Sequence, residues 1–219
     1  MAKRSEGLSE LFDPGSICIV GASDREGSVG RVLMGNVSKG YDGDVFPVNP
    51  GHDEVMGMRC WPDVSSLPRS VDLAVIATPA KTVPDIVEQC AHRKIPAALV
   101  ISAGFGEAGE SGRELQDRVL RIAREGSVRV LGPNCLGIVV PSRGLNLTFL
   151  EQRPPEGGLA FISQSGAVGS AILDWACEAH VGVSAFVSVG NMVDVDFGDL
   201  MGHLGDDPHT KAILMYVEA

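Results

Sequence analysis

Two segments of this sequence carry residue types suited to holding anions. The first is Gly21-Ala22-Ser23-Asp24-Arg25-Glu26-Gly27-Ser28-Val29-Gly30. A glycine at a strand end permits a tight turn. Gly27 and Gly30 let the backbone approach a ligand and the helix approach the sheet. Free N–H groups and the dipole of the following helix then favour a phosphate. The loop is longer than GxGxxG, Ala22-Ser23 replaces the second glycine, and no Walker A sequence occurs. The next strand ends Val48-Asn49-Pro50 instead of in an acid for a ribose, which counts against classical NAD binding. A nucleotide-containing ligand with a phosphate near residues 23–27 fits this loop; a ligand-free glycine turn is the plainer alternative.

The second segment is Ser163-Gln164-Ser165-Gly166-Ala167-Val168-Gly169. Two hydroxyls and a glycine at a helix N-terminus make an anion seat. A serine nucleophile needs a base beside it, and GxSxG is absent. A serine that only caps its helix is the structural alternative. The five histidines, His52, His92, His180, His203 and His209, show no catalytic context, and most read as surface residues. The five cysteines are widely spaced, odd in number and without CxxC, so neither a disulfide framework nor a zinc site is expected. A reducing cytoplasm fits them.

The elements that must position these loops alternate. Apolar runs predict strands over 16–20, 44–48, 73–77, 98–101 and 128–131, with helices over 29–37, 84–92 and 112–124. Strand, loop and helix repeated in this way give parallel βαβ units and a doubly wound sheet. Its carboxyl edge, where the polar loops recur, is where open α/β sheets bind ligands. Residues 137–140 and 145–149 read as short irregular strands, and 152–158 as a linker. The pattern then restarts with strands over 159–162, 183–189 and 212–217 and helices over 167–179 and 197–204. The sequence stops at the end of a strand, so the second domain reads as incomplete: a fragment, or a sheet finished by a partner. An exposed edge after that strand predicts self-association.

At 219 residues the chain accommodates one to two domains. The formal charge is −10, which disfavours non-specific nucleic-acid binding. Residues 154–219 hold one basic against nine acidic side chains (−8), whereas residues 1–153 hold 17 against 19 (−2). That asymmetry marks either a solvated acidic face or a different module with its own partner. No apolar run reaches the ~18 residues of a membrane helix. The charged start, Met1 to Gly7, has no apolar stretch behind it and does not read as a secretory signal.

The stretches IVGAS (19–23), PVNP (47–50), DLAVIATPA (72–80), ISAGFGEAG (101–109), LGPNCLG (131–137), FISQSGAVGSAILDW (161–175) and VSVGNMVDVDFGDL (187–200) occur in that order. Together, over residues 8–218, they closely resemble the NDP-forming acyl-CoA synthetases. These include the ADP-forming acetate–CoA ligases and, more distantly, the alpha subunit of succinate–CoA ligase. The resemblance implies a CoA-binding Rossmann-like domain over 1–150. The first part of a flavodoxin-like α/β ligase domain follows over 157–219. It implies CoA phosphates on Ser23, Asp24, Arg25 and Glu26, with Gly21 and Gly27 shaping the loop. Further CoA contacts fall on Asn49, Pro50 and His52, on Thr78-Pro79-Ala80, and on Ile101, Ser102 and Ala103. Asn134 matches a position near the thioester. Ser165 and Gly166 match the seat of a phosphohistidine or acyl phosphate, and Ser170 a position near the carboxylate substrate. Glu218 matches a glutamate that hydrogen-bonds the phosphohistidine.

The family reaction is acyl-CoA + phosphate + NDP ⇌ acid + CoA + NTP. None of the five histidines aligns with the family nucleophile, and no ATP-grasp domain is present. ATP or ADP and magnesium therefore enter only through an ATP-grasp subunit or domain elsewhere, and the chain alone is expected to be inactive. The succinate enzymes carry a lysine where His52 stands and a glutamate where Ala103 stands; the ISAGF and SQSGA forms look like the acetate branch. The resemblance implies an oligomer. Two other readings stand beside this one: a ligase-like regulatory half of a lysine acetyltransferase, and a stand-alone CoA-binding protein.

Overall fold

The computed structural model describes residues 7–218. The expectation for the charged start rests mainly on residues 1–6, which lie outside the described residues, as does Ala219. After helix α1 (Ser9–Phe12) come β1 (Ser16–Val20), α2 (Val29–Val37) and β2 (Asp44–Val48). A small hairpin follows, β3 (Glu54–Val55) and β4 (Met58–Arg59), then β5 (Leu73–Ile76), α3 (Val83–His92) and β6 (Ala97–Val100). Next are α4 (Glu110–Gly126), β7 (Arg129–Leu131), β8 (Ile138–Val140) and β9 (Leu145–Asn146). The remainder is β10 (Glu156–Ser163), α5 (Gly166–Glu178), β11 (Val183–Ser188), α6 (Phe197–Asp206) and β12 (Ala212–Tyr216).

The first sheet has the order β2-β1-β5-β6-β7 and is parallel throughout. Its strands are near-continuous apolar runs because both faces are covered. On one face Cys18, Ala74, Ile76 and Val100 pack with Val87 of α3 and Val119 of α4. On the other, Ile17, Val75 and Leu99 pack with Leu33 and Met34 of α2 and Leu11 of α1. That second core continues into Ile162, Val187 and Leu200, so the two sheets share apolar packing.

The second sheet has the order β12-β10-β11-β8-β9. β10 pairs in parallel with β11 and β12, whereas β8 runs antiparallel to both β11 and β9. The short strands before residue 150 thus belong to the second sheet by hydrogen bonding, although they precede the expected linker. The linker itself is shorter than 152–158, because β10 starts at Glu156. Its glycines serve a close strand contact: a Cβ on Gly157 would lie 2.5 Å from the Gly182 backbone.

A charged cluster links the two regions. Arg129 of β7 donates from Nε to Asp194 (2.9 Å) and from Nη2 to Asp199 (2.6 Å), and Asp194 also accepts from the Val130 N–H at 2.9 Å. Burial works against the Arg129 charge, but the bonds and charges of the two aspartates more than offset it and raise its pKa. Asp199 closes a capping box with Asp196 at the start of α6. Among the described residues, no helix is long and apolar enough to cross a membrane.

Candidate functional site

The order of the first sheet reverses between β1 and β5, so a crevice opens outside their carboxyl ends. The glycine loop forms one wall. Gly21 has φ +94°, and an added Cβ would meet the Ala77 carbonyl at 2.6 Å; one on Gly30 would meet the Gly21 carbonyl at 2.0 Å. Neither position accepts a side chain without moving the loop. Ser28 caps α2 by accepting from the Arg31 N–H, and its hydroxyl donates to the Arg25 carbonyl at 2.7 Å. Ser23 accepts from the Arg25 N–H at 3.0 Å. Asn49 ties β2 to the loop by donating to the Ala22 carbonyl at 2.8 Å.

The resulting cleft has a volume of about 860 Å³. Gly21, Ser23, Arg25 and Gly27 line it from the first loop, and Asn49, Pro50 and His52 from the second strand end. Thr78 and Pro79 complete the wall after β5. Arg25 is exposed and makes no ion pair among the described residues. Asp24 and Glu26 are exposed and do not line the cleft. The Asp24 carbonyl accepts from the Arg31 guanidinium.

A second cavity, of about 660 Å³, lies between the two sheets. It brings together Ile101, Ser102 and Ala103 after β6, Asn134 after β7, Ser165 and Gly166 at the start of α5, and Glu218 after β12. Val29, Ala77 and Thr78 line both spaces, so the two adjoin at these residues. Asn134 has a left-handed backbone, φ 56°, and its N–H donates to the Ser102 carbonyl at 2.9 Å. Ser165 caps α5 by accepting from the Val168 N–H, and a Cβ on Gly166 would meet nothing within 4 Å beyond its chain neighbours and its own helix backbone. Ser170 lies one turn on and does not line the cavity.

Several residues of this crevice escape a sequence reading. Gln164 donates its N–H to the Tyr216 carbonyl (3.0 Å), and its side chain accepts from the Glu218 N–H (3.1 Å). It therefore sets Glu218 beside Ser165. Asn191 donates to Glu107 (2.6 Å) and Gln116 (2.9 Å) and accepts from Asn134 (3.3 Å). Burial pushes the Glu107 carboxyl up, but the bond from Asn191 and those from the Gly104 and Phe105 N–H groups outweigh it and hold the pKa below the ordinary value. Glu107 and Asn191 follow the carboxyl ends of β6 and β11, and that placement is the one signal that could have flagged them. Cys135 also lines the cavity, but burial raises its pKa to about 12, so it stays a thiol.

The chain matches the model of the CoA binding domain over residues 15–141 and that of the succinyl-CoA ligase like flavodoxin domain over 156–219. It is 41% identical over 211 residues to the ADP-forming acetate–CoA ligase I of Archaeoglobus fulgidus, covering 96% of this chain and 31% of that one. It is 41% identical to the alpha subunit of the ADP-forming acetate–CoA ligase I of Pyrococcus furiosus, covering 96% and 47%. The fold superposes, with a TM-score of 0.92 and 40% identity, on the dinucleotide-forming acetyl-coenzyme A synthetase 1 of Ca. Korarchaeum cryptofilum, solved with phosphate and ADP. That match covers 97% of this chain and 46% of the other. The chain thus spans about a third to a half of the length of these relatives. With the first match covering more than half of its length, and the succinyl-CoA ligase like flavodoxin domain following in order, the chain belongs to the CoA binding domain family.

Proposed function

We propose that this chain is the CoA-binding portion of an NDP-forming acyl-CoA synthetase. The larger protein would convert acyl-CoA, phosphate and ADP to acid, CoA and ATP. One observation carries the reading: the cleft beside the glycine loop and the cavity between the sheets adjoin, with Val29, Ala77 and Thr78 lining both. CoA has the matching form, a phosphate-bearing nucleotide at one end of a long arm and a thiol at the other.

In this reading Gly21 and Gly27 shape the loop, and Ser23 and Arg25 meet the phosphates with the α2 N-terminus behind them. Asp24 and Glu26 contribute main-chain groups only. Asn49, Pro50, Thr78 and Pro79 wall the nucleotide end. Ile101, Ser102, Ala103 and Asn134 receive the end of the arm. Ser165 and Gly166, on the α5 N-terminus, seat the acyl phosphate or a phosphohistidine from the rest of the enzyme. Glu218 orients that imidazole and stabilises its charged form. An ATP-grasp subunit or domain supplies the nucleotide and its magnesium, phosphate is the co-substrate, and the assembly is oligomeric and cytoplasmic. The 219-residue chain alone binds CoA without turnover.

Calorimetric titration with CoA, with NAD as the control, tests this. We expect CoA binding, silence with NAD, and at least about a tenfold loss of CoA affinity on Arg25→Glu, from exchanging a phosphate-facing cation for an anion. CoA binding indifferent to Arg25→Glu, or equal binding of NAD, overturns the assignment.

A further inference from the structure

Asn134 lines the cavity between the sheets, and its neighbours decide whether its amide carbonyl or its amide NH₂ faces that space. The main chain around it is pinned. Asn191 donates its N–H to the Pro133 carbonyl at 2.9 Å, and a Cβ on Gly190 would meet the Asn134 carbonyl at 2.5 Å. The side-chain amides are then oriented from the backbone outward. The N–H groups of Gly104 (2.5 Å) and Phe105 (3.1 Å) both donate to Glu107 Oε1, and that of Gly106 donates to Gln116 Oε1 at 3.2 Å. Burial pushes the Glu107 carboxyl up, but the bonds it accepts hold its pKa below the ordinary value, so at neutral pH it offers acceptors only. Asn191 meets both of these side chains and must turn its NH₂ to them, 2.6 Å from Glu107 Oε2 and 2.9 Å from Gln116 Oε1. Its Oδ1 is left for Asn134, whose Nδ2 donates to it at 3.3 Å. Asn134 Oδ1 accepts no bond among the described residues.

We infer that Glu107, Gln116 and Asn191 are positioning residues that turn the Asn134 carbonyl oxygen into the cavity, where it accepts from the donor at the end of the CoA arm, the terminal amide N–H or the thiol S–H. This role rests on the CoA reading above. It is compatible with the anion seat in the same cavity, because the α5 N-terminus supplies donors to the anion while Asn134 serves the arm. Glu107→Gln keeps the shape of the side chain and removes the constraint. The new NH₂ opposes either the Gly104 and Phe105 N–H groups or Asn191, which then turns over and turns Asn134 with it. Losing a negative charge from the cavity would by itself tighten an anionic ligand, so weaker binding has the opposite sign and reports the lost orientation.

Three probes separate the arm from the rest of the ligand: CoA, S-methyl-CoA, whose thioether has no S–H, and adenosine bisphosphate, the nucleotide end without the arm. The 219-residue chain, its Glu107→Gln and Asn134→Ala variants and the double variant are titrated with each by calorimetry. We expect Glu107→Gln to lower CoA affinity about fivefold, the worth of one net hydrogen bond, and to leave adenosine bisphosphate affinity unchanged. Unchanged nucleotide binding also shows that each variant is folded. Asn134→Ala gives a like loss, and the double variant loses no more than Asn134→Ala alone, because Glu107 acts through Asn134. An equal loss with S-methyl-CoA identifies the amide N–H as the donor, and a loss confined to CoA identifies the S–H. If CoA binds but Glu107→Gln leaves its affinity unmoved or raises it, weakens adenosine bisphosphate equally, or adds its loss to that of Asn134→Ala, the positioning role is overturned while the CoA reading stands. If the unsubstituted chain binds no CoA, both fall together.

Discussion

β1 and β12 are both apolar pentapeptides, SICIV and AILMY, and both lie parallel to their neighbours. β1 is buried at every position, whereas β12 is buried at none. The difference lies in what surrounds them. β1 has β2 on one side and β5 on the other, with α2 and α3 over its two faces. Among the described residues β12 pairs with β10 alone, and Leu214, Met215 and Tyr216 remain exposed. An apolar run makes a strand; topology decides whether that strand becomes core. The first sheet is thus a closed layer and the second an open one; the cleft lies at the edge of the closed layer and the adjoining cavity at the seam between the two.

The seam offers the largest effect with which to break this comparison. Arg129 to Asp194 and Asp199 is an ion cluster in which each side chain is at most 17% exposed. Removing one partner of a buried pair costs about 3–5 kcal/mol, because the remaining charge has no partner. Arg129→Ala leaves two aspartates facing each other, so we expect a loss of that size in urea unfolding. If the closed layer were stable independently of the open one, the variant would unfold in two separated transitions. A single transition at lower urea shows the two layers unfolding as one unit.

The comparison itself is tested by one substitution made twice. Leu99 in β6 is 0% exposed and Leu214 in β12 is 47% exposed. Leu99→Ala should cost about 2–5 kcal/mol through lost burial and a cavity. Leu214→Ala should stay within about 0.5 kcal/mol, the usual range for surface positions. Equal losses at the two sites would show that β12 is covered in solution, and the contrast between the layers would then vanish.

How much of this was legible in the sequence follows the same division. The five parallel strands of the first sheet and the loops at their ends were readable, because local apolar runs, turn residues and helix caps such as Ser28 and Ser165 act within a few residues. Helix α1 was not, since four residues carry no periodicity, and nor was the β3–β4 hairpin of two-residue strands. The pairing of β8 with β11 joins residues some 48 positions apart, Ile138 with Val187 and Val139 with Phe186, and nothing local encodes it. The candidate site divides likewise. Gly21, Ser23, Arg25 and Ser165 stand out by type and spacing. Gln164 owes its place to a bond with residue 218, and Asn191 to bonds with residues 107 and 116, and such contacts exist only after folding.

The smallest expected effect concerns a second contact across the seam. His203 of α6 stacks on Phe12 of α1, with ring centroids 4.4 Å apart and planes 23° from parallel. Burial lowers the His203 pKa below the ordinary value of 6.5; Asp207 and Asp206 pull it back without cancelling the shift. The folded state therefore binds this proton less readily than the unfolded state does. For a depressed histidine, stability is fully present above the unfolded value and falls as the pH drops through 6.5 toward the folded value. The carboxyls with lowered pKa, Glu107 and Asp207, give slopes of the same sign, but around their own ordinary values of 4.5 and 3.8. Melting measured between about pH 7.5 and about pH 5.5 separates the histidine from them. Over that interval His203→Gln should melt lower than the unsubstituted chain at the upper pH, through lost stacking, and show a flatter pH slope. Parallel slopes for the two proteins would mean that His203 titrates alike folded and unfolded, and that the seam at α1 is open to water in the way β12 is.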